Sequence, residues 1–143
     1  MTSNIEELVA QVASFDPDTE DYMERLYKLM DEVKAIGSEP ALICALFGLL
    51  EKYPDVDFGS PGPIVHTLES RNEHRDELRK SISRQPTNLN VWMVNRILNS
   101  QLSAEERGAW EQVLRDVSTN PKASDSVKDD ANQFLEFQAQ RSG

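Results

Sequence analysis

The sequence predicts an all-α protein of about eight short helices set as stacked antiparallel hairpins, either HEAT-like or as an irregular helical bundle. Three observations carry this. Apolar residues recur at helical spacing from end to end, and no alternating pattern competes with it. Capping and turn residues cut the chain into pieces of about 8 to 18 residues. Pro40, Pro63 and Pro86 recur at intervals of 23, each near a predicted helix start, as stacked helical pairs would place them.

The first helix opens on a capping box, Ser3 with Glu6, and carries the stripe Ile5, Leu8, Val9 and Val12 toward Phe15. Asp16-Pro17-Asp18 is a turn. Tyr22, Met23, Leu26, Leu29, Met30, Val33 and Ile36 then share one face of a long helix, with Glu24, Arg25, Lys28, Asp31 and Glu32 opposite. Gly37 ends it, Ser38 caps the next, and Pro40 sits in the new helix's first turn. That third helix, Ala41 to about Tyr53, is apolar on nearly every side except near Cys44, Gly48, Glu51 and Lys52, so it reads as an inner helix. Tyr53 to Gly62 is the longest irregular stretch, rich in Gly and Pro. A short helix, Ile64 to Ser70, follows Pro63. Arg71, Arg75, Arg79, Lys80 and Arg84 run through a superficial fifth helix anchored by Leu78 and Ile82.

Pro86–Ser100, PTNLNVWMVNRILNS, is the segment around which the fold is organised. Val91, Met93, Val94, Ile97 and Leu98 cover more than half its circumference, and Thr87 is its predicted N-cap. Ser103 with Glu106 forms a second capping box ahead of Trp110, Val113, Leu114 and Val117. Asn120-Pro121 breaks the chain. A last helix from about Ser124 places Val127, Ala131, Phe134 and Leu135 at core spacing, and Gln138 to Gly143 is expected to fray.

With 143 residues, 38% of them hydrophobic and 28% charged, the chain suits a single helical domain over 1–143 with a real core. Its net charge is −10, and the distribution is lopsided: residues 1–60 hold 13 Asp or Glu against 4 Lys or Arg, residues 61–143 hold 12 against 11. An acidic surface repels phosphate backbones and anionic membranes and speeds encounter with basic proteins, which argues against direct nucleic-acid or membrane binding. The single cysteine, Cys44, allows no intramolecular disulfide and reads as a buried small hydrophobe in ALICALFGLL. With no signal-peptide pattern at MTSNIEEL and no membrane-length apolar run, the expected location is the cytoplasm.

No catalytic pattern emerges. His66 and His74 are the only histidines, and eight residues is not a metal-binding spacing; HExxH, CxxC and paired ExxH elements are absent, so neither a metal nor another cofactor is expected. His66, Glu69 and Glu73 fall on one helix face, but charged helices produce such triplets readily. Gly59-Ser60-Pro61-Gly62 lacks the Lys and the preceding strand of a phosphate loop. The chain reads as a binding protein and not an enzyme.

Two sets of residues read as partner-binding. The first is acidic: Asp16, Asp18, Glu20, Asp21, Glu24, Asp31, Asp55 and Asp57, on the second helix's outer face, the turn before it and the long loop. It is either a solvated surface or a face for a basic partner. The second is the polar strip Trp92, Asn95, Arg96 and Asn99, which either lines a groove for a partner's loop or ties down neighbouring turns.

The segments GPIVHTLE (Gly62–Glu69) and PTNLNVWMVNRILNS (Pro86–Ser100), with Trp110 and the closing helix ending in FLEFQ, resemble a family of small all-helical immunity proteins. These accompany bacterial polymorphic toxins, including contact-dependent growth-inhibition systems. The resemblance spans roughly residues 35–138 and implies a cytoplasmic protein that binds one cognate toxin domain, often a nuclease, and blocks it by occluding its cationic cleft. It offers no fixed contact residues, since each member matches its own toxin. The alternative is a helical-repeat adaptor that takes a peptide or protein partner along the Trp92–Asn99 strip.

Overall fold

The computed structural model describes residues 2–37, 39–59, 62–70 and 74–142, with side chains described from Ile5 to Arg141. Among these residues every regular element is an α-helix: α1 (Thr2–Ala13), α2 (Tyr22–Ile36), α3 (Pro40–Lys52), α4 (Gly62–Glu69), α5 (Arg75–Arg84), α6 (Asn88–Leu98), α7 (Ala104–Val117) and α8 (Asp125–Ser142). No strand occurs among them. The predicted all-helical class is the observed one. The chain forms two compact units, Met1–Leu78 and Arg79–Gly143, with the boundary inside α5.

In the first unit α1 packs on α3 and α2, and α2 on α4. The stripe of α2 buries Leu26, Leu29, Met30 and Val33, while Tyr22, Met23 and Ile36 are half-buried at its edges. Gly37 ends the helix with φ 106°, a conformation glycine enters without steric cost, and its N–H bonds Val33 O. α3 is the inner helix of this unit, burying six apolar side chains, of which Leu46 and Phe47 are essentially inaccessible. Each such side chain contributes about 1.5–3 kcal/mol of burial.

Three local expectations need correction. α1 begins at Thr2, so Ser3 lies inside the helix instead of capping it. The residue before α3 is Glu39, with Pro40 in the first turn; Ser38 lies outside the described residues, as does Glu73. Cys44 is exposed, not buried. Ala41, Cys44, Gly48 and Lys52 fall within about 80° of the α3 wheel, and this one narrow strip faces outward. The sequence marks this strip through Gly48 and Lys52, and Cys44 lies on it with them.

In the second unit α6, α7 and α8 pack on one another. The α6 N-terminus is a reciprocal cap: Thr87 Oγ1 accepts from Asn90 N at 3.0 Å, and Asn90 Oδ1 accepts from Thr87 N at 2.7 Å. Asn90 is fully buried and spends its amide hydrogens on Ser81 Oγ and Gln85 O, so its polarity costs little. The Ser103–Glu106 box forms as predicted. Trp110 is buried, and the Arg79 guanidinium lies 4.3 Å from its ring centroid.

α8 continues past the point where fraying was expected. Gln138 is completely buried: its Nε2 donates to Asn95 Oδ1 at 2.7 Å and Asn99 Oδ1 at 2.8 Å, and its Oε1 accepts from Arg107 Nη1 at 3.2 Å. Asn88 Nδ2 donates to Asp130 Oδ2 at 2.6 Å, so paired positions advance together along both helices and α6 and α8 run in the same direction. α7 returns between them, its Arg107 donating to Leu98 O at 2.8 Å.

Candidate functional site: an acidic face on the first unit

All eight carboxylates of the predicted acidic set are exposed, and all belong to the first unit. Their placement begins with the turn between α1 and α2. Asp16 Oδ1 accepts from Asp18 N at 2.9 Å, a side-chain turn that Asp forms readily. Arg25, one turn into α2, fixes this turn: it donates to Asp16 O at 2.6 Å and to Thr19 Oγ1, pairs with Asp21 Oδ1 at 3.3 Å, and covers the Phe15 ring at 5.0 Å. One cation is thereby consumed in holding the turn that displays Asp18 and Glu20.

The Thr19 hydroxyl, first, and then the Arg25 guanidinium hold the Asp21 carboxyl below its ordinary value, favouring its charged form.

The long loop joins the same region. Tyr22 Oη donates to Asp57 O at 2.8 Å, which brings Asp57 to the first turn of α2. Asp57 Oδ1 in turn accepts from Gly59 N at 2.8 Å, and Phe58 is buried beside it as the loop's anchor. Gly59 has φ 107°, and a Cβ there would lie 2.4 Å from Gly62 Cα; only glycine lets the loop close at this point. Asp55 is exposed on the same loop.

Glu24 and Asp31 lie seven residues apart on α2, hence on one side of it. Between them on that side stands Tyr27, 53% exposed. Sequence reading missed Tyr27, although its position off the apolar stripe was the available signal. Aromatic side chains on a charged surface are the residues on which protein interfaces concentrate binding energy.

The Trp92–Asn99 strip lies in the second unit, and its asparagines are engaged. Asn95 is buried under Gln138, and Asn99 accepts from both Gln138 and Arg141. Trp92 and Arg96 are half-buried. His66 is exposed on α4 and His74 is buried. Among the described residues no three His, Cys, Asp or Glu side chains converge as ligands to a metal would, and no helix is long and apolar enough to cross a membrane.

Fold and face together define an all-helical protein whose first unit presents a structured carboxylate surface. No family model matches the chain, and neither a curated protein nor a solved structure matches it.

Proposed function

We propose that the chain is an immunity-type binding protein that neutralises a cognate bacterial toxin domain, a nuclease, by occupying its cationic cleft. The observation that carries this reading is the acidic face itself: eight exposed carboxylates gathered on the first unit, several of them held in place by Arg25, Tyr22 and Gly59. Nucleases must hold phosphates with Lys and Arg, and a preorganised carboxylate surface can fill such a cleft in place of substrate. Asp18, Glu20, Glu24 and Asp31 supply the charge, and Tyr27 supplies apolar area within it. The inhibitor performs no reaction and works in the cytoplasm, where such a toxin would act. The adaptor alternative draws less support, because Asn95 and Asn99 already serve α8.

The test is direct. The product of the adjacent upstream gene is purified, assayed for nuclease activity and titrated with the chain. The reading expects a one-to-one complex and loss of activity; a mixture that neither associates nor loses activity would overturn it.

A further inference from the structure

We draw no further inference here: the strongest candidate, the surface patch on α8 where Phe137 stands exposed with the Arg141 guanidinium over its ring, carries nothing, because nothing in the structure shows what covers it.

Discussion

Replacing Gln138 by leucine tests how the second unit is held together. Leucine keeps the volume and the helix propensity but removes the bonds to Asn95, Asn99 and Arg107. Asn95 is 8% exposed, so its Oδ1 is left without a partner in a place water barely reaches. A buried polar atom stranded in this way costs about 1–3 kcal/mol. Asn99 is exposed and recovers water, and Arg107, half-buried, recovers part of its hydration. The net loss is therefore about 1–2 kcal/mol, after a partial offset from the added apolar burial. Both tryptophans, Trp92 and Trp110, belong to this unit and all three tyrosines to the other, so tryptophan fluorescence excited beyond the tyrosine absorption band follows this unit during urea unfolding. Adding Asn95→Leu to Gln138→Leu removes the stranded atom, and the double variant recovers at least about 1 kcal/mol relative to the sum of the singles. A Gln138→Leu protein within about 0.5 kcal/mol of the parent would show that the last turns of α8 are not pinned, and would refute this reasoning.

Further outcomes follow from other parts of the molecule. Gly59→Ala, forced into positive φ and against Gly62 Cα, costs about 1–3 kcal/mol in thermal unfolding and displaces the loop that carries Asp55 and Asp57. Because the Asp21 carboxyl is held below its ordinary range, the folded state favours its charged form; that contribution is complete above about pH 4 and is lost as pH falls through the lowered value. Asp21→Asn therefore flattens the acid limb of stability against pH, and an unchanged limb would contradict the assignment. Cys44, exposed on α3, reacts with a thiol reagent in the native protein without prior unfolding.

The helices were legible because their signals are local. Caps at Thr87 and Ser103 formed where Thr, Asn, Ser and Glu stand at the required offsets, and the stripe of α2 placed Leu26 to Val33 inward as its spacing demands. What was not legible depends on distant partners. Gln138 looks like a polar residue in a fraying tail until Asn95 and Asn99, about forty positions earlier, are brought beside it. Asn90 carries no sequence signal of its burial, which depends on Ser81 and Gln85 O to satisfy its amide. Cys44 was misplaced for the opposite reason: its place on the strip with Gly48 and Lys52 was visible, but the apolar run around it outweighed that position. The acidic set was visible in composition, but its joining at Asp57 required the Tyr22 hydroxyl, which no spacing rule predicts.

The most direct measurement of the proposed function is the salt dependence of association between this chain and the basic toxin domain proposed as its partner, with and without charge reversal at Asp18, Glu20 and Glu24. Six units of charge change, each worth about 0.2 kcal/mol against a cation about 8 Å away at physiological ionic strength, slow association by about tenfold. The account predicts that slowing, fading as salt is raised from 0.05 to about 0.5 M. A triple variant that associates as fast as the parent at every salt concentration would contradict it.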